Sequence, residues 1–282
     1  MTDFQDVRAV VTGAASGLGA ALARALAARG ARVAIADLAE GEALATADTI
    51  GSGARGYRCD VCERVEVEAL AQAVVRDFGG ADLVFANAGV FVGGSLMNIQ
   101  SSEFDWLFDV NVRGVFHTVQ AFAPLLLQRA GNGRRPRFVI TGSENSVGLP
   151  LKGVMTAYTA TKHALLALAD GLRRDLADSG VGVSILCPGA VNTRLWDARR
   201  ARPMRYGGAA REEAAVAAAA ARTFAAIGQD PDLTARLCLE GVANDEFLII
   251  THANIREFAL KRHQEVEAAL DRLEVRLKGG PE

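Results

Sequence analysis

Tyr158 and Lys162 lie four residues apart in YTATK (158–162), leading into an alanine- and leucine-rich stretch from Ala164 to Leu176 that reads as a helix. At that spacing the two side chains share one helix face, one turn apart. A phenol carries protons poorly at neutral pH because its unperturbed pKa is about 10. An ammonium one turn away favours the phenolate. Bringing a phenol to about pKa 7 takes roughly 4 kcal/mol of differential stabilisation. A hydroxyl beside the phenol, such as the run opening at Ser143 supplies, orients a substrate oxygen while the phenol takes or gives its proton. That chemistry suits alcohol–carbonyl interconversion. The pair alone equally describes a half-buried Tyr beside a solvated Lys, so the rest of the chain decides.

The N-terminal pattern supplies a frame. VRAVVT (7–12) is a short strand, TGAASGLG (12–19) a glycine turn, ALARALAARG (21–30) a helix closed by Gly30, and ARVAIAD (31–37) a second strand ending at Asp37. Strand, glycine turn, helix and terminal carboxylate together form a dinucleotide-binding βαβ unit. Gly13, Gly17 and Gly19, with Ser16 and Leu18 among them, let the backbone turn tightly and bring a diphosphate to the helix N-terminus. Asp37 is placed to accept the adenosine ribose hydroxyls and to repel a 2′-phosphate. Leu38 and Ser16 offer no cation for that phosphate, so the expected cofactor is NAD rather than NADP. Its oxidised nicotinamide would add a second positive charge beside the phenol.

The chain has 282 residues, 50% hydrophobic and 23% charged, which suits one soluble α/β domain. A net charge of −2 leaves no electrostatic footprint for nucleic acid or an anionic membrane. MTDFQDVRAVVTG lacks the marks of a signal peptide and no apolar run reaches transmembrane length, so a cytoplasmic location is expected. Cys59 and Cys62 are spaced CxxC, as in a redox pair or half a zinc site, but Cys187 and Cys238 stand alone, and the pair reads as an ordinary strand end. His117, His252 and His263 have no partners at ligand spacing, and His163 would point roughly 100° away from Lys162 on the helix. No metal site is expected.

TGxxxGxG together with YxxxK resembles the short-chain dehydrogenase/reductase superfamily in its classical branch, and the resemblance runs nearly end to end. It implies a Rossmann-like doubly wound parallel sheet of seven strands in order 3-2-1-4-5-6-7, forming one domain. It implies that Asp60 and Val61, ending the third strand ARGYRCDV (54–61), flank the adenine. Asn87, Ala88 and Gly89, ending ADLVFANAG (81–89), would lie along the cofactor. Pro188 and Gly189 would border the nicotinamide, with Val191 and Thr193 at its carboxamide. Asn111, within the helical pattern of residues 104–127, matches the family's mid-helix Asn, whose main-chain carbonyl holds a water linking the Lys to solvent. Pro124 in the same pattern predicts a bend or break.

The resemblance makes Ser143, at the end of RPRFVITGS (135–143), the catalytic serine, with Tyr158 as acid–base and Lys162 lowering its pKa and holding the nicotinamide ribose. Here the chain departs from the family. Ser143 precedes Tyr158 by fifteen positions, about two more than usual, with the extra residues after Pro150 in LKGVMTA. Ser146, at twelve, is the rival. Ser143 is preferred because a strand end is held by the sheet, and Asn145 also comes within reach of substrate.

Residues 194–230, where the family varies, read as a substrate lid. Arg194, Arg199, Arg200, Arg202 and Arg205 interleave with Trp196 and Tyr206, suggesting aromatic and arginine side chains facing a bulky or anionic substrate; solvated surface arginines are the alternative. EFLIITH (246–252) reads as the seventh strand, and 254–277 as an amphipathic helix. The family commonly pairs through the helices after strands four and five and through the last strand, so a homodimer or homotetramer is expected, with the C-terminal helix extending that interface. The expected activity is NAD-dependent interconversion of a secondary alcohol and a ketone. The alternatives are a carbonyl reductase using NADPH or NADH, or a non-catalytic dinucleotide-binding protein. DFQD (3–6) and the Arg-Pro-x-Arg-Tyr-Gly run at 202–207 look similar to bacterial dehydrogenases that oxidise benzylic alcohols of lignin-derived aryl ethers, which points to an aromatic substrate.

Overall fold

A computed structural model describes residues 4–51, 53–132, 134–149, 155–210 and 214–278. The aliphatic runs form β1 (Arg8–Thr12), β2 (Arg32–Asp37), β3 (Arg55–Arg58), β4 (Leu83–Ala86), β5 (Arg137–Thr141), β6 (Gly182–Cys187) and β7 (Leu248–Ile250). They make one parallel sheet in the order β3-β2-β1-β4-β5-β6-β7, a doubly wound Rossmann-like architecture.

Successive strand residues point to opposite faces, so β1, β4 and β5 feed two cores. Val10, Val84, Ala86, Phe138 and Ile140 enter one. Ala9, Val11, Leu83, Phe85 and Val139 enter the other. Helices α3 (Arg64–Phe78), α5 (Gly114–Gly131) and α6 (Thr156–Asp175) cover the first face. Helices α1 (Gly17–Ala27), α2 (Glu40–Ile50) and α8 (Pro231–Ala243) cover the second. Strand order reverses between β1 and β4, which opens a crevice beyond their carboxyl ends.

The helical pattern at 104–127 is not one regular helix. Helix α4 (Ser101–Phe108) passes through a widened π turn, Asp109–Arg113, into α5. Pro124 does not break α5. Gln120, whose carbonyl loses its usual donor there, is exposed, so water can take the place of the missing N–H.

After β6 the chain makes 3₁₀ turns at Arg194–Ala201 and Met204–Tyr206, then α7 (Ala214–Ile227). β7 is shorter than the pattern at 246–252. Helix α9 (Ile255–Lys278) runs exposed over most of its length and leaves Val266, Leu270, Leu273 and Leu277 uncovered. Among the described residues no helix is long and apolar enough to cross a membrane.

Candidate active site

The crevice holds a cavity of about 1050 Å³. Its wall contains the glycine turn from Gly13 to Gly19, Asp37, Asp60, Val61, residues 87–89, Pro188, Gly189, Val191 and Thr193, together with Ser143, Tyr158 and Lys162. Residues far apart in the chain are thus brought to one surface.

The glycine turn is shaped by steric need. Gly13 and Gly17 have φ of +65° and +56°, a region that favours glycine, and a Cβ on Gly13 would sit 2.7 Å from the Ala88 Cα. Ser16 caps α1 without a side-chain hydrogen bond, so the first-turn N–H groups that line the cavity lack a side-chain acceptor. Those groups fit the diphosphate of a dinucleotide. Asp37 is fixed by two backbone donors, Ala15 N at 3.0 Å and Ala39 N at 3.1 Å.

A chain of hydrogen bonds ties this turn to the polar cluster. Thr12 Oγ1 accepts from Asn87 N and Ala88 N, and Asn87 Nδ2 donates to Thr12 O. Thr141 Oγ1 donates to Asn87 Oδ1 at 3.1 Å, and Lys162 Nζ donates to Thr141 O at 2.9 Å. The ends of β1, β4 and β5 therefore fix where the ammonium sits. Its nitrogen lies 5.6 Å from the centroid of the Tyr158 ring, and Phe91 packs edge-on to the same ring at 5.1 Å.

Ser143 lies two residues past β5 as the cap of a 3₁₀ turn, Glu144–Ser146, so a capping box rather than the strand itself holds it. Its hydroxyl accepts from Asn145 N at 3.2 Å, and its side chain lies close enough to the Tyr158 phenol in the cavity wall to lower that group's pKa. Ser146 is turned away: its Oγ donates to Lys162 O at 2.8 Å and accepts from Ser143 N at 3.1 Å, bracing the turn against α6. Of LKGVMTA (151–157), where the extra length was placed, residues 151–154 lie outside the described residues.

Asn111 is fully buried in the π turn, behind the cavity wall rather than in it. Its Oδ1 accepts from Val90 N at 2.8 Å, and its Nδ2 donates to Val90 O and to Thr161 Oγ1. Thr161 Oγ1 donates in turn to Tyr158 O at 2.6 Å. Thr161 thus joins Asn111 to the Tyr–Lys helix, a link with no mark in the sequence beyond its place between them.

Burial dominates the electrostatics. It pushes the Tyr158 phenol up to about 12, with the Ser143 hydrogen bond opposing and the Glu144 carboxylate adding to the rise. Burial also brings Lys162 down to about 8. The lowering expected from the neighbouring ammonium does not figure in the phenol's shift, which desolvation sets.

The sequence model of the family described as short chain dehydrogenase matches residues 8–203. The chain belongs to the short-chain dehydrogenase family. It is 31% identical over 269 residues to a C alpha-dehydrogenase from Sphingobium sp. strain SYK-6, covering 93% of this chain and 86% of that protein. It is 30% identical over 189 residues to a galactitol 2-dehydrogenase from Agrobacterium fabrum, covering 67% and 72%. A crystal structure of a short chain dehydrogenase/reductase from Burkholderia phymatum in complex with NAD superposes with a TM-score of 0.86 at 36% identity, covering 95% of this chain and 97% of that one.

In this short-chain dehydrogenase the arginines of the variable segment do not present free guanidiniums to a substrate. Arg199 and Arg202 pair with Glu103 at 2.7 and 3.3 Å, and Arg205 pairs with Asp60 at 2.7 Å and Glu63 at 3.4 Å. Arg194 pairs with Asp197, and Arg200 donates to the Arg194 and Asp197 carbonyls. Tyr206 OH donates to Asp109 Oδ2 at 2.6 Å. Glu103 and Asp60 are buried carboxylates that would be costly without partners, so the arginines are drawn inward. The side chains left to line the cavity from this segment are largely apolar: Leu195, Trp196, Phe224 and Ile227.

The sequence also gave no warning of Glu144 as a cavity residue. Beside it Asn145 is 3% exposed, and its Oδ1 has no hydrogen-bond partner among the described residues. An unpaired buried acceptor costs about 1–3 kcal/mol. Among the described residues no group of three His, Cys, Asp or Glu side chains is arranged to hold a metal ion.

Proposed function

We propose that this protein is an NAD-dependent oxidoreductase that interconverts a secondary alcohol and a ketone. The observation that carries the reading is the meeting of the Ser143 hydroxyl, the Tyr158 phenol and the Lys162 ammonium in the wall of the cavity that also contains the glycine turn and Asp37. When bound, the nicotinamide cofactor supplies hydride acceptance or donation. Ser143 holds the substrate oxygen by hydrogen bonding. Tyr158, as the phenolate, takes the carbinol proton in oxidation and, as the phenol, gives its proton to the carbonyl oxygen in reduction. Lys162 stabilises the phenolate and holds the nicotinamide ribose, while Asn111 and Thr161 fix the Tyr–Lys helix. The uncapped first turn of α1 holds the diphosphate, and Phe91 and Trp196 keep water from the reacting atoms.

Asp37 supports NAD over NADP. The cation nearest to it by strand register, Arg58, is committed to Glu66 at 2.7 Å. The apolar lining from Trp196, Phe224 and Phe91 supports a bulky or aromatic substrate, in keeping with the likeness to the C alpha-dehydrogenase. Reduction by the same residues is favoured by one observation: the resting phenol is protonated and ready to donate. Phe116 and Leu127 on α5 and Leu168 on α6 are exposed apolar residues on the helices after β4 and β5, which supports pairing of subunits there. Incubating a panel of secondary alcohols with NAD, and of ketones with NADH, while following NADH absorbance tests the activity. Lack of turnover in both directions would reject it.

A further inference from the structure

The 3₁₀ turn that carries Ser143 also brings the two residues after it to the same cavity. Glu144 and Asn145 both line it. The Glu144 carboxylate is half-buried and no hydrogen bond or ion pair to it is found among the described residues. Of the other acidic side chains in that wall, Asp37 is engaged by two backbone amides, Asp60 by Arg205 and Asp197 by Arg194, while Glu42 is solvent-exposed. Glu144 points towards Gly189, where a Cβ would come within 3.2 Å of its Oε2, and it acts electrostatically on Tyr158, so it sits near the reacting phenol. Beside it the Asn145 amide oxygen is buried without a donor among the described residues, its nitrogen donating to the Met155 sulfur at 3.1 Å, so this side chain packs behind the carboxylate. Burial raises the Glu144 pKa above the ordinary carboxylate range, as expected of an acid without a donor to stabilise its charge.

We propose that Glu144 forms a subsite for a second hydroxyl of the substrate, adjacent to the reacting carbinol, so that the enzyme takes neutral vicinal diols or polyols rather than hydroxy acids. The inference rests on the alcohol–ketone reading above. Ser143 holds the reacting oxygen, and the next residue of the chain offers a carboxylate acceptor beside it, so a neighbouring O–H finds a partner there. An ionised hydroxy acid would bring a second negative charge and no donor to the same place. The arginines that line the cavity already have acceptors of their own.

The test compares kcat/KM with NAD for an aryl vicinal diol, the analogue with methyl in place of hydroxymethyl, and the corresponding aryl hydroxy acid. The diol should exceed its deoxy analogue by about 10–100-fold, the worth of a hydrogen bond to a charged acceptor, and the hydroxy acid should be the poorest. Glu144→Ala should collapse the diol-to-deoxy ratio. Glu144→Gln, which keeps the shape and guards against a folding defect, should keep part of that ratio and narrow the discrimination against the hydroxy acid. A wild-type ratio near one, or a ratio that both variants leave unchanged, overturns the subsite while leaving the alcohol chemistry standing. Failure of all three alcohols to turn over, with no ketone reduced by NADH, overturns the proposed function and the subsite with it.

Discussion

Replacing Lys162 with Met would separate its electrostatic role from its binding role. The ammonium lies 5.6 Å from the Tyr158 ring centroid. At an effective dielectric near 20, a unit charge at that distance is worth about 3 kcal/mol, or about 2 pKa units on the phenol. Where rate follows the phenolate fraction, Lys162→Met should lower alcohol oxidation about 100-fold at neutral pH. The defect should not be constant. Lys162 itself stands near pKa 8, so the wild-type cation is present below that pH and fades above it. The wild-type to variant ratio of kcat/KM should therefore be largest below pH 8 and narrow above it. Loss of a ribose contact alone would lower the rate by the same factor at every pH. NADH affinity of both proteins, measured by fluorescence, accounts for that factor. A ratio that stays flat or widens from pH 6 to 10 would refute the electrostatic role.

Other substitutions probe separate parts of the site. Tyr158→Phe should abolish turnover in both directions while leaving NADH affinity nearly unchanged, as read by fluorescence titration. Asp37→Ala should weaken NADH relative to NADPH by about 10–100-fold through loss of charge-assisted hydrogen bonds; an unchanged ratio of the two dissociation constants would count against the ribose role. Arg205→Ala leaves the buried Asp60 carboxylate without its cation, which costs about 3 kcal/mol, so Tm should fall by about 6–12 °C. Lys162→Met should also change stability. The folded pKa near 8 lies below the ordinary 10.5, so the burial penalty is fully present below pH 8 and is relieved as pH rises from there towards 10.5. The variant should be more stable than wild type at pH 7, by up to about 3 kcal/mol, and chemical denaturation at pH 7 and pH 10 should show the advantage shrinking.

The strands, the helices and the glycine turn were legible because they rest on local signals: β-branched runs, glycine spacing and the 3.6-residue period. Asp37 could be placed for the same reason, since it ends the second strand of the βαβ unit, whereas the sheet order and the places of Asn87 and Pro188 followed from the family resemblance. The π turn at Asn111 was not legible, because a helical repeat does not reveal one widened turn. The pairing of the arginines at 194–205 was not legible for a different reason. Their partners Glu103 and Asp60 lie about a hundred or more residues earlier in the chain, and no periodicity connects them. Charge type is written in the sequence, but which charge will be buried and need a counterion is decided only by the fold.

Tyr158 shows the same limit quantitatively. From residue types alone, one neighbouring cation looks enough to bring much of a phenol's shift towards neutrality. Packing Phe91 against the ring and enclosing the hydroxyl raise it to about 12 instead. Reaching pKa 7 from there takes about 5 units, close to 7 kcal/mol. The Lys162 ammonium already stands beside the ring where the phenol reaches that value, so the stabilisation would have to come from charge brought in with the cofactor. A unit charge about 4 Å away supplies about 4 kcal/mol at an effective dielectric near 20, more than half of the requirement. A site so enclosed would keep its phenol protonated until positive charge is brought beside it, so proton removal would depend on a cationic cofactor. Burial, which on its own opposes the chemistry, is thus what makes the phenol respond to the cofactor.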